Sequence, residues 1–219
     1  MRLTAHLRAG LMAIAISLGL MAAPHAQADF VPGGYQIGSQ QFGLTGGTFS
    51  AGAFKGTWNG TSIIFFCIEL TQTFSFGTHF TTYTPSVATN TLLSKLFTAA
   101  FAGALDSTQN SAAFQLAIWE IIYDGGNLNL SDGGFKVLDN KGNGATVTTA
   151  QGYLNSVLAA PASYNLITLA ESHHQDFVTA NVIPTTTTKQ VPEPGSLALI
   201  AIALIAAGFV RARNTRLAA

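Results

Sequence analysis

The sequence predicts an α+β domain in which two or three helices are inserted between strands. Three observations carry this. Residues 36–83 are rich in glycine, threonine and aromatic residues with partial period-two alternation. Residues 90–159 switch to apolar positions at helical spacing. Residues 164–183 return to short strand-like runs. Strands, then helices, then strands, with the helices segregated in the chain, is the α+β pattern.

The elements follow in order. Residues 36–54 read as a pair of short strands with glycine turns. Asn59-Gly60 is a hairpin signal, because both residues tolerate positive φ. Residues 61–70 hold Ile63, Ile64, Phe65, Phe66, Cys67 and Ile68, a continuous apolar run of strand length and so a buried strand. Residues 71–83 alternate aromatics with Thr and Ser and read as a further strand. Residues 90–104 place Leu92, Leu93, Leu96, Phe97 and Ala100 on a helix. Residues 111–123 form a second helix, capped by Asn110 or Ser111 and ended by Gly125-Gly126. Residues 127–144 read as polar loop. Residues 148–159 form a third helix capped by Thr148 or Thr149. Strands at 164–169 and 177–183 complete the domain.

The chain ends set the compartment. Arg2 and Arg8 precede an apolar stretch from 11 to 22, and Ala26-Gln27-Ala28 is a small-residue cleavage site. This predicts a secretory signal peptide over 1–28. The domain then spans 29–184. Residues 185–196 are a threonine-rich linker followed by Pro192-Glu193-Pro194. Residues 197–210 are apolar and shorter than the roughly 20 residues of an ordinary spanning helix. Residues 211–219 carry Arg211, Arg213 and Arg216, which predict a cytoplasmic tail. A Pro-Glu-Pro handle, a short apolar helix and a basic end, in that order, resemble the PEP-CTERM sorting signal of Gram-negative bacteria. The resemblance implies an exosortase, a membrane cysteine protease, as the processing partner. It also implies transient anchoring in the inner membrane, then release to the cell surface or extracellular matrix.

Formal charge over the whole chain is zero, but the ends hold every arginine. Between 29 and 190 five lysines face nine acidic residues, a net charge of about −4. Nucleic-acid binding needs clustered Lys and Arg, so it is not expected. Cys67 is the only cysteine, so no disulfide can form within the chain. His173-His174 has no further ligands at metal-site spacing. Neither a metal nor another cofactor is implied. His79 is the histidine nearest Cys67 in sequence, but no glycine-rich elbow surrounds the cysteine. A cysteine-dependent envelope hydrolase is therefore the least favoured reading.

The chemistry-bearing pattern is a pair. "FFCIEL" presents a thiol on an apolar strand. "AFQLAIWEIIYD" presents Gln115 inside an apolar helix, one turn from Trp119 on a shared face. A cysteine thiolate can attack a glutamine side-chain carbonyl, expel ammonia and leave an internal thioester. These motifs resemble the Cys-Gln thioester domain of bacterial surface adhesins. By that resemblance Cys67 and Gln115 are the bonded residues, and Phe66, Ala117, Ile118 and Trp119 complete or shield the motif. Phe114 stands where threonine is common in that family. The implied role is covalent attachment to an amine on a surface protein or matrix component, an interaction protein rather than an enzyme. Glu69, Glu120 and Tyr123 are candidates to assist, Glu69 sharing a strand face with Cys67. The alternative keeps Cys67 as a small core hydrophobe in a non-covalent matrix or biofilm protein.

Overall fold

The computed structural model describes residues 28–180. The predicted signal peptide through residue 27, the end of the last predicted strand, the linker with Pro192, Glu193 and Pro194, the spanning helix and the basic tail lie outside the described residues. The architecture is α+β, as expected. A six-stranded antiparallel sheet is ordered β1-β4-β5-β9-β8-β6. Its strands are β1 (Phe30–Tyr35), β4 (Phe54–Trp58), β5 (Thr61–Cys67), β6 (Thr84–Val87), β8 (Ile167–Glu171) and β9 (His174–Thr179). A smaller sheet, β3-β2-β7, joins β2 (Gln40–Leu44), β3 (Gly47–Ala51) and β7 (Val137–Asp139). Three helices, α1 (Thr91–Ala104), α2 (Thr108–Asp124) and α3 (Gly144–Val157), fall between β6 and β8.

Local chemistry explains most boundaries. β4 and β5 form the predicted hairpin, with Asn59 at φ 49° and Gly60 at φ 78°. Both central residues at positive φ match the twist that hairpins need. Pro32 and Pro85 fall on β1 and β6, the two edges of the large sheet, where a missing N–H costs no ladder bond. β1 escapes the sequence pattern because Pro32-Gly33-Gly34 reads as a turn. A register shift between Pro32 and Gly34 accommodates it.

Several expectations need correction. Residues 71–83 do not form a strand. Only Phe80 makes an isolated bridge, to Phe30, and Gly77 takes φ 74°. Their alternation is real, but it serves packing: Phe74 sits edge-on to Phe177 at 4.9 Å between ring centres. α2 starts earlier than expected. Ser107 is its cap, accepting from Asn110 N at 3.1 Å, which frees Ser111 for another task. α3 starts at Gly144 rather than 148, and the loop before it contains β7. α1 is capped by Asn90 through Leu93 N, close to expectation.

α2 is the centre of the molecule. All of Ser111–Ile121 is buried. It packs on α1 and α3 and reaches β2, β3 and β5. On a helix buried on every side, a polar side chain without a partner carries a desolvation cost. Ser111, Gln115 and Glu120 are the buried polar side chains of α2.

Candidate functional site

Four α2 side chains at successive i+4 positions line up toward the strands. Ser111 Oγ accepts a hydrogen bond from Ala53 N at 2.6 Å. Gln115 meets Cys67. Trp119 stands in a cavity wall with Cys67. Tyr123 Oη accepts from Leu70 N at 2.8 Å. The i,i+4 spacing places them in sequence down one side of the helix. At a helix start Ser111 reads as a possible cap, although its spacing from Gln115 is the signal of a shared face.

The Cys67–Gln115 contact has a specific cause. β4 pairs with β5 from Trp58–Thr61 to Phe54–Phe65 and stops there. Continuing the ladder would set residue 52 opposite Cys67, but β4 begins at Phe54. On the opposite side of β5, β9 is present: Cys67 sits opposite Phe177, and Ile68 N donates to Asp176 O at 3.1 Å. The backbone N–H and C=O of Cys67 therefore face an open sheet edge. Gln115 fills it. Cys67 N donates to Gln115 Oε1 at 2.9 Å, and Gln115 Nε2 donates to Cys67 O at 2.8 Å. The side-chain amide takes the place of the missing strand residue. Two groups separated by 48 positions in the chain are held in register by two short bonds.

Both partners are buried, Gln115 fully and Cys67 to within 4 %. Burial pushes the Cys67 thiol well above its ordinary pKa, and the Glu69 carboxylate adds to this. The thiol is held neutral, so its use as a nucleophile requires a base. Burial likewise raises Glu69, with Asp176 N bonding against that shift. Glu69 Oε1 accepts from Asp176 N at 3.3 Å.

A cavity of about 270 Å³ opens beside the pair. Cys67, Glu69, Gln72 and Trp119 line it with a set of aromatic rings that includes Tyr35, Phe54 and Phe74. It brings together Cys67, Glu69 and Trp119 of the predicted set. Phe66 points to the other side of the sheet, against Phe114 and Phe97 at ring separations of 5.0 and 6.1 Å. Phe114, at the variant motif position, thus packs in the helix-side core. Ala117 and Ile118 are fully buried in α2. Trp119 is 2 % exposed and packs near Phe49 and Phe135. Tyr123 lies outside the cavity and fixes the chain just after β5. Glu120 faces the loop that follows α2, where its Oε1 accepts from Asn129 N at 2.8 Å.

The histidines lie elsewhere. His79 Nδ1 is 2.9 Å from Asp29 Oδ1 on the surface. His174 Nδ1 is 2.8 Å from Glu171 Oε2. Neither lines the Cys67 cavity. Among the described residues, no cluster of His, Cys, Asp and Glu could hold a metal ion.

Sequence comparison bears on the C-terminal segment. No curated protein and no solved structure matches the chain. The family model of the PEP-CTERM protein-sorting motif matches residues 190–213, which lie outside the described residues. That motif marks an exported protein, anchored transiently in the membrane and sorted by exosortase-type processing.

Proposed function

We propose that this exported chain carries an internal thioester between Cys67 and Gln115 and uses it to bond covalently to an amine on a surface or matrix partner. One observation carries the reading: the paired hydrogen bonds that fix the Gln115 amide against the Cys67 backbone, beside a cavity that Cys67 also lines. In the forming step the Cys67 sulfur bonds to the Gln115 side-chain carbon. The carbon–nitrogen bond breaks, and ammonia leaves with the thiol proton. The Cys67 N–H already donates to Gln115 Oε1, so charge developing on that oxygen is stabilised in place. Glu69 is the base within the same cavity. Aromatic walls limit water, which would otherwise hydrolyse the bond.

The sorting motif supplies the biological setting. Processing by an exosortase delivers the domain to the cell surface or matrix of a Gram-negative bacterium, where a stored electrophile serves adhesion. The same two hydrogen bonds support a second reading. They complete a sheet edge, which is a sufficient structural task for Gln115 in a non-covalent matrix protein.

Methylamine separates the two. The thioester reading expects a methylamide on Gln115 and a newly alkylatable thiol on Cys67, located by peptide mass mapping. It expects no adduct after Cys67→Ala. Identical peptide maps with and without methylamine would leave only the structural reading.

A further inference from the structure

The cavity beside Cys67 has a polar inventory that its own walls leave incomplete. Among the described residues, Trp119 Nε1 is buried with no acceptor and Gln72 Oε1 is buried with no donor. Each such group carries a cost of desolvation that a bound partner would relieve. Trp119 itself is 2 % exposed, so its N–H has no recourse to bulk water. The remaining walls are mostly aromatic rings, with Ser50, Leu70, Thr73 and Gln175 between them, and the one carboxylate among the lining side chains is Glu69. Its Oε1 already accepts from Asp176 N; its Oε2 makes no hydrogen bond among the described residues. Gln175 Nε2 donates to the Glu69 backbone carbonyl, which holds the residue at the cavity margin independently of its carboxylate. Cys67, Tyr83, Tyr123 and Asp176 are the other titratable groups whose charges Glu69 feels or influences.

A free acceptor oxygen, a carboxylate and aromatic faces are complementary to a cation with N–H donors on an apolar stem. An unpaired indole N–H adds a demand for one acceptor on the same ligand. We infer that this cavity is a subsite for an alkyl primary ammonium, in which Glu69 and Gln72 bind the charged nitrogen and Trp119 donates to an oxygen nearby. Glu69 thereby selects the nucleophile that reaches Gln115. This rests on the thioester reading for its covalent consequence, but the subsite itself does not need the bond. In the covalent step Glu69 removes one proton from the ammonium and passes it to water. The freed amine nitrogen attacks the Gln115 carbonyl carbon, and the carbon–sulfur bond breaks. The second nitrogen proton ends on the Cys67 sulfur, leaving an amide and a thiol.

Two measurements on the whole chain keep subsite and bond apart. In Cys67→Ala protein, where no thioester can exist, Nα-acetyl-lysine amide and Nα-acetyl-norleucine amide are titrated by calorimetry. The two probes differ only by the ammonium. The lysine probe is expected to bind at least about tenfold more tightly, as one charge-assisted contact provides. Glu69→Gln in the same background is expected to remove that margin, and Gln72→Leu to reduce it. Equal binding of both probes, or a margin that survives Glu69→Gln, overturns the subsite. In protein with Cys67 intact, Glu69→Gln is expected to slow adduct formation with cadaverine about tenfold while leaving hydroxylamine, a neutral nucleophile, within about twofold. Equal slowing of both overturns selection by Glu69. If Glu69→Gln prevents the bond from forming, Gln72→Leu answers the same question. If wild-type protein forms no adduct at all, the thioester reading fails, and the calorimetry still decides the subsite.

Discussion

Opening the proposed bond without changing the sequence gives the sharpest energetic prediction. The bond would close a loop between positions 48 apart. Treated as any covalent cross-link, a loop of that length restricts the unfolded chain by about 4 kcal/mol. Methylamine opens the loop and leaves an N-methyl amide on Gln115. That product keeps a carbonyl and an N–H, so both contacts to the Cys67 backbone can re-form. Closed and opened protein therefore differ chiefly in the unfolded state. The opened form should unfold at lower urea, with a difference of about 4 kcal/mol at 25 °C. In a thermal scan this is a fall of about 8–16 °C for a domain of this size. Both species are separable by mass, so each melt can be assigned to a known state. Midpoints agreeing to within about 1 kcal/mol, with the adduct verified, would refute the loop-closure reasoning.

Three further outcomes follow from named contacts. In a Cys67→Ala background, where no cross-link can form, Gln115→Met should cost about 2–6 kcal/mol in urea unfolding. It leaves the backbone N–H and C=O of residue 67 buried without partners, and each such group costs about 1–3 kcal/mol; an unchanged midpoint would contradict the strand-edge account. Glu120 is fully buried, and burial pushes its carboxyl up to about 7 from an ordinary 4.5, against the opposing Asn129 N–H bond. A raised folded-state pKa means the folded protein binds the extra proton, so stability should decline as pH rises from about 4.5 to about 7, by at most about 3 kcal/mol. Glu120→Gln should flatten that slope, and an unaltered slope in pH-dependent melts assigns it elsewhere. Gly56→Ala would place a Cβ 2.4 Å from Val31 O and 3.1 Å from the Phe65 ring, so it should destabilise by about 1–3 kcal/mol in the same urea assay; a neutral result would show that β1 can shift away.

The sequence carries the fold where local chemistry decides. Asn59-Gly60 can make only a few turns, and the apolar run before Cys67 has strand length and β-branched content, so the hairpin was legible. The run from Leu92 to Ala100 and the apolar character around Ile118 marked two helices for the same reason. It failed where a partner decides. Residues 71–83 alternate like a strand because one face packs on Phe54 and Phe177, yet β1 and β9 reach them only through scattered hydrogen bonds at Thr73, Gly77 and Phe80 and no continuous ladder forms. β1 was hidden by Pro32 and its glycines, which an edge strand tolerates. Ser111 looked like a cap because Ser and Asn at a helix start usually are; Ser107 performs that task.

The candidate site divides in the same way. The pairing of Cys67 with Gln115 was readable from two motifs. Its physical basis was not, because it depends on β4 stopping at Phe54 and leaving an open edge. Glu69 and Glu120 each lie near a motif residue in sequence, and only Glu69 shares a strand face with Cys67. Three-dimensional placement separates them: Glu69 is in the cavity wall, while Glu120 holds Asn129 on the far side of α2. The orphan atoms of Trp119 and Gln72 have no sequence signature at all, since an unmet hydrogen bond is a property of surroundings rather than of residue type.

The intact mass of the untreated exported chain tests the central claim most directly. The account predicts a mass lower than the unmodified chain by one ammonia, with the deficit abolished by Cys67→Ala. A mass equal to that of the unmodified chain, with Cys67 freely alkylated after unfolding, would contradict it.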